Sequence, residues 1–159
     1  MAKQEKTNAM RILDQRKIQY VVHDYTESGA IAGEDVAKTL GEDPERVFKT
    51  LVTVGKSKQY YVFLVPVCNE LNLKKAAKAV GEKSIEMIKS KELLPLTGYV
   101  HGGCSPVGMK KAFPTTIDIS AMDFDKIYFS AGKVGLQVEL SLSDAQIIIN
   151  PKFEDVCDR

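Results

Sequence analysis

The chain holds only two histidines and three cysteines, and one of each falls in Thr97–Lys111, TGYVHGGCSPVGMKK. His101 and Cys104 are separated there by Gly102 and Gly103. A cysteine nucleophile needs a base within hydrogen-bond reach, usually with a third group to orient that base. Such partners normally meet from distant segments, so closeness in sequence is weak support. The ordinary reading makes Cys104 a small buried hydrophobe and His101 a loop or surface residue. The glycines say more. Gly102-Gly103 opens backbone conformations closed to other residues and permits close approach to a ligand. A tight glycine turn can also aim N–H groups at one point, as an oxyanion hole requires. A plain hairpin turn accounts for the pair equally well.

The cations come next. Lys74 and Lys78 are four apart in NLKKAAKAV and share a helix face, with Lys75 beside them. Lys110 and Lys111 add a second pair. Such runs are solvated faces or phosphate contacts. Lys49 differs, because in RVFKTLV it stands among apolar neighbours. On a strand it points to the opposite face from Phe48 and Thr50. It is then either a rim residue whose amine snorkels to water or a buried, working cation. Ser130, in YFSAGKVG, ends a strand at a glycine turn, where a serine commonly caps the turn.

These residues need a scaffold, and 159 residues suffice for one domain, expected to span 1–159, with one good core. Hydrophobic residues make up 44% and charged residues 27%, with a formal net charge of +1, so total charge announces no nucleic-acid partner. Met1–Asp14 has no charged, apolar, small leader, so no signal peptide is expected. The most apolar run, Tyr60–Cys68, is too short to span a bilayer and contains Pro66, so no membrane role is expected. Three cysteines without a CxxC spacing suit a reducing cytoplasm and argue against a disulfide frame or zinc. Two histidines leave no histidine-rich metal cluster, and no cofactor is expected.

Periodicity predicts a helix over KTNAMRILDQRK, with Thr7 or Asn8 as cap. It predicts a strand over IQYVVHDY, a helix ending at Gly41, and a short helical turn at Asp43-Pro44. The strands VFKTLVTVG and KQYYVFLVPV are joined by the turn GKSK. A helix over NLKKAAKAVG follows, then a second over KSIEMIKSKELL, capped by Ser84 and stopped by Pro95. TTIDIS, KIYFSAGK and LQVELS read as strands. SLSDAQIIIN reads as a helix opened by a Ser143/Gln146 capping box. The order is not a regular βαβ alternation. It predicts an α+β domain with a mixed or antiparallel sheet and helices packed around it.

FKTLV, LNLKKAAKAVGEKSIEM, TGYVHGGCSPVGMKK and IYFSAGKVGLQVEL occur in this order along the chain. Together they resemble the YbaK/EbsC family, free-standing relatives of the editing domain inserted in bacterial prolyl-tRNA synthetases, from about Thr7 to the C-terminus. The resemblance implies a mixed, largely antiparallel, partly closed sheet or barrel surrounded by helices. It implies hydrolytic release of cysteine from Cys-tRNA(Pro), and more loosely from Cys-tRNA(Cys), in partnership with prolyl-tRNA synthetase and tRNA in the cytoplasm. Lys49 matches the family's essential lysine, near the 3′-terminal adenosine and the ester. Thr50, Tyr25 and Ser130 match pocket residues, and Gly102 or Gly103 matches the backbone position facing the ester carbonyl. Lys74, Lys75 and Lys78 are then the candidate tRNA contacts. Where some members carry an aspartate, this chain has Gln137 in the substrate pocket.

The resemblance also implies that no protein cysteine attacks. The substrate's own sulfur displaces the ester, leaving as a cyclic thioester. A thiol with an ordinary pKa near 8.5 is roughly a few per cent thiolate at neutral pH, which suffices for so strong a nucleophile. A relative that clears alanine or another small amino acid with activated water is one alternative. A non-catalytic module that binds tRNA or a synthetase is another. The sequence leaves the oligomeric state open.

Overall fold

The computed structural model describes residues 6–159, so residues 1–5 of the expected domain lie outside it. The hairpin of β2 (Phe48–Gly55) and β3 (Tyr60–Pro66) is its centre. β3 is covered from Val62 on, with Val62–Val65 at most 1% exposed. Its alternation divides two cores: Val62 and Leu64 enter the larger cluster, Phe63 and Val65 the smaller. Burying a side chain of this size is worth roughly 1.5–3 kcal/mol, so this strand anchors both halves.

β4 (Ile85–Met87) lies antiparallel against β2. β5 (Thr115–Asp118) runs parallel to β3, and β8 (Lys152–Glu154) parallel to β5, so the sheet order is β4-β2-β3-β5-β8. A second, antiparallel sheet has the order β1-β7-β6, from Val21–Asp24, Leu136–Ser141 and Lys126–Lys133. One face of it, through Leu136, Val138, Phe129 and Ile127, joins the larger core with α1 (Asn8–Gln15). The Thr7 hydroxyl accepts from the Met10 N–H at 3.1 Å, as expected of the cap, and donates to the Ala131 carbonyl on β6.

The α+β class and the mixed, largely antiparallel sheet hold. The partly closed arrangement stays open: the sheets share the larger core, but their strands are joined by an isolated bridge, Val47 to Tyr128. α2 (Gly33–Leu40) lies over the outer face of the small sheet, where Ala37, Val47, Val67 and Tyr128 pack together. Gly33 sits so close to Val67 that a Cβ would lie 2.3 Å from its Cγ1.

Three local expectations need correction. The helix expected over KSIEMIKSKELL divides into β4 and α4 (Ser90–Thr97), and Pro95 lies inside α4 rather than ending it. Ile85, 3% exposed, is worth more paired opposite Gly55 at the sheet edge than on a helix face. The Lys89 N–H donates to Glu92 Oε2 at 2.8 Å, so α4 starts there and Ser84 caps nothing. α5 (Leu142–Ile149) is capped by Ser141, which accepts from the Asp144 N–H at 3.1 Å, not by Ser143. Asp43-Pro44 forms a side-chain-stabilised turn, Asp43 Oδ1 accepting from the Glu45 N–H, without becoming helix. The remaining helix, α3 (Leu73–Val80), is capped by Asn72 and ends at Gly81 in the left-handed region.

Candidate active site

Where the sheets fail to close, a cleft of about 500 Å³ opens, and Tyr25, Lys49, Thr50, Gly102, Ser130 and Gln137 all line it. Five separate elements thus deliver six of the residues singled out in the sequence to one place. Gly103 does not reach the wall, and Lys74, Lys75 and Lys78 lie on α3, outside it.

β4 covers only Thr53–Gly55 of β2, which leaves the edge at Phe48–Leu51 unpaired on that side. The cleft lies along this open edge, so Lys49 and Thr50 both reach it despite their alternation. The Lys49 side chain is about a quarter exposed, and its amine pairs with Glu70, 3.7 Å away and 80% exposed. An ion pair with so solvated a partner holds a cation weakly, which leaves Lys49 free to meet a substrate. Thr50 Oγ1 is buried with no hydrogen-bond partner among the described residues.

The two glycines have different duties. Gly102 has φ +84°, and a Cβ there would lie 2.8 Å from Ile31 Cγ2, another cleft residue. A Cβ on Gly103 would lie 2.8 Å from the backbone nitrogen of Val134 and 3.1 Å from the Lys133 carbonyl carbon. Gly103 therefore lets the loop pack on the β6–β7 turn. Its N–H already donates to the Val100 carbonyl at 3.0 Å, closing that turn. Only Gly102 presents backbone to the cleft.

Cys104 borders the cleft but is 7% exposed, and burial pushes its thiol up to about 12 while the neighbouring Thr97 hydroxyl draws it back a little. Such a thiol is almost wholly protonated at neutral pH and is a poor nucleophile. Its polar neighbour is Thr97, not His101, which lines the outer cleft and is exposed. Among the described residues no three of His, Cys, Asp and Glu are grouped to hold a metal ion.

The opposite wall is the polar face of the small sheet. Ser130 lies directly opposite Gln137, and Gln137 opposite His23. Ser130 does cap the turn, its Oγ accepting from the Gly132 N–H at 3.1 Å, and faces the cleft as well. Tyr25 is 7% exposed; burial pushes its phenol up, with the Gly135 main chain opposing and Glu42 adding. Gln137 is 3% exposed, and its Oε1 has no partner among the described residues. Sequence reasoning missed Glu42, both of whose carboxylate oxygens are buried beside Gln137. No spacing rule reaches it, because it follows α2 and meets β7 only through the fold. Also missed was the N-terminus of α2, where Ala32 provides no side-chain cap and Gly33–Asp35 open on the cleft. Its free N–H groups favour an anionic ligand group, partly offset by Glu34 and Asp35.

On α3, Lys74 and Lys78 are exposed. Lys75 instead holds the C-terminal segment, its amine 3.0 Å from Asp155 and 2.8 Å from the Cys157 carbonyl.

The cleft brings together a cation, a helix N-terminus, a turning glycine and an acceptor, Gln137 Oε1, without a partner among the described residues. It suits an ester that carries an anionic end and an ammonium end. Comparison with known proteins gives the same direction. The family model for the aminoacyl-tRNA editing domain matches residues 27–147. The chain is 44% identical to an Enterococcus faecalis protein, EbsC, named for a Cys-tRNA(Pro)/Cys-tRNA(Cys) deacylase, over 96% of this chain and 94% of that one. It is 29% identical to the proline–tRNA ligase of Shouchella clausii, over 64% of this chain and 18% of the ligase. A solved structure described as a trans-editing enzyme for prolyl-tRNA synthetase superposes with a TM-score of 0.84 at 23% identity, covering 98% of this chain and 100% of that one, a likeness of fold.

Proposed function

The chain belongs to the aminoacyl-tRNA editing domain family, and on that premise we propose that it is a trans-editing deacylase releasing cysteine from Cys-tRNA(Pro). The observation that carries the mechanism is a cleft lined both by an available lysine, Lys49, and by a buried cysteine, Cys104, whose thiol burial pushes up to about 12. The protein holds the ester and the substrate supplies the nucleophile.

Cysteine and proline are similar in volume, so a synthetase pocket discriminates poorly between them, and a second site must clear the error. In the cleft the substrate thiolate attacks its own ester carbonyl. A C–S bond forms, the carbonyl oxygen takes up the negative charge, and the C–O bond to the terminal ribose breaks. The thiol's proton ends on that ribose oxygen, and the cyclic thioester leaves to be hydrolysed. Holding the two groups in contact supplies the effective concentration. Gly102 supports the oxyanion through its backbone, and Lys49 the charge near the ester and the terminal adenosine. Tyr25, Thr50, Ser130 and Gln137 bound the aminoacyl group. Alanine and proline esters lack the sulfur and are spared.

The single domain spans the chain, acts in the cytoplasm and works beside prolyl-tRNA synthetase. Support for that partnership is the likeness to part of the synthetase itself. Lys74 and Lys78 are the exposed cations proposed for the tRNA backbone.

The test is to mix purified protein with Cys-tRNA(Pro), Ala-tRNA(Pro) and Ser-tRNA and follow loss of the ester. Loss from the cysteine ester alone is expected. Serine released as fast as cysteine points to attack by water, and no release from any of them points to a binding module.

A further inference from the structure

The mechanism above leaves Glu42 without a part. Both its carboxylate oxygens are out of solvent, and the polar side chain that reaches them is the Gln137 amide. A buried carboxylate left in that condition is costly and calls for a reason. The Gln137 side-chain amide lies against it. A carboxylate only accepts, so it favours the amide orientation with NH2 toward itself and Oε1 away. Gln137 lines the cleft, and its Oε1 is buried and unpartnered among the described residues. The titratable groups around Glu42 are His23 on β1, Glu139 on β7, Tyr128 on β6 and Tyr25 just beyond β1. Arg46 acts on Tyr128, and His23, which faces Glu42, is already 2.9 Å from Glu139.

We infer that Glu42 is a positioning residue of the cleft: it holds the Gln137 amide so that Oε1 accepts from the α-ammonium of the bound aminoacyl group, and its charge favours that ammonium. The identity of the ligand rests on the deacylase reading. An aminoacyl ester carries one cation, and an unpartnered acceptor backed by a carboxylate is what that cation needs. Burial raises the acid, Gln137 and His23 draw it down, and Glu139 raises it again.

The probes are the 3′-amide analogue of cysteinyl-adenosine and the same molecule without its α-amine, measured against wild type and Glu42→Gln. Glutamine keeps the shape and can still accept from Gln137, so only the charge is removed. Wild type is expected to prefer the amine-bearing probe by about tenfold. Glu42→Gln is expected to lose that preference while binding the other probe equally well. Its Tm at pH 7 should be unchanged or higher. An acid whose folded pKa is raised costs stability above that pKa and is relieved as pH falls through it, so the neutral side chain removes a cost. In kcat/KM for Cys-tRNA(Pro), the acid limb above the usual carboxylate range should vanish in the variant. Equal preference in both proteins, or preference lost together with a lowered Tm, overturns the inference. Wild type that prefers the amine yet releases no cysteine sinks the deacylase reading and leaves Glu42 in place. Wild type that releases cysteine without preferring the amine sinks the role of Glu42 alone, and binding of neither probe sinks both.

Discussion

At the scale of single residues, the cleft separates groups that act from groups that only pack. Lys49 pairs with a solvated glutamate, so its loss costs the fold little. Lys49→Ala is expected to lower kcat/KM at least about 100-fold, the size of a lost charge-stabilising contact, with Tm within about 2 °C of wild type. Cys104→Ala is expected to keep most of the rate in single-turnover assays, and a loss of activity with the fold intact would end the substrate-thiol mechanism. The glycines divide in the same way. Gly103→Ala drives a Cβ into the backbone of the β6–β7 turn and should lower the denaturation midpoint clearly. Gly102→Ala meets the flexible Ile31 side chain. At φ +84° it costs about 1–2 kcal/mol, so its larger effect should be on the rate.

At the scale of elements, the last residues act as a latch on the sheet. Asp118, at the end of β5, is fully buried. Burial alone would raise its carboxyl, but the Arg159 guanidinium and the N–H groups of Ser120 and Val156 outweigh it and bring the pKa down to about 2. A depressed acid stabilises the fold above its unfolded pKa, near 3.8, and loses that contribution as pH falls toward about 2. Arg159→Ala is expected to cost about 1–2 kcal/mol at neutral pH, reduced because Arg159 itself is half-exposed. Urea titrations at pH 7 and pH 2.5 should show the difference between variant and wild type shrinking at the lower pH. Elements built on local signals were legible in the sequence, among them α1 with its Thr7 cap, α3 with Asn72 and Gly81, and the β2–β3 hairpin. β4 was not, because Ile85 takes strand form only through an edge supplied by β2. The lining of the candidate cleft was legible where a motif carried it, at Lys49 and Gly102, and the buried Glu42 behind Gln137 was not, because it follows α2 and meets β7 only through the fold.

At the scale of the whole molecule, a net charge of +1 leaves any grip on tRNA to local patches. Lys74→Ala with Lys78→Ala is expected to weaken tRNA binding uniformly across sequences and to flatten the salt dependence by a slope of about 2. An unchanged slope would move the contact to another face; Lys75, which is paired with Asp155, is expected to add less to it. Among the described residues no helix is long and apolar enough to cross a membrane. The silent Cys104 thiol has a further bearing on the life of the catalyst. In the proposed mechanism the product is a cyclic thioester, an acylating agent, released in a cleft that one of the chain's own thiols borders. At a pKa of about 12, only about one in 10⁵ of those thiols is ionised at pH 7. On that mechanism the product is expected to leave many times over without acylating Cys104, and thiol-directed inhibitors aimed at Cys104 should find nothing to label.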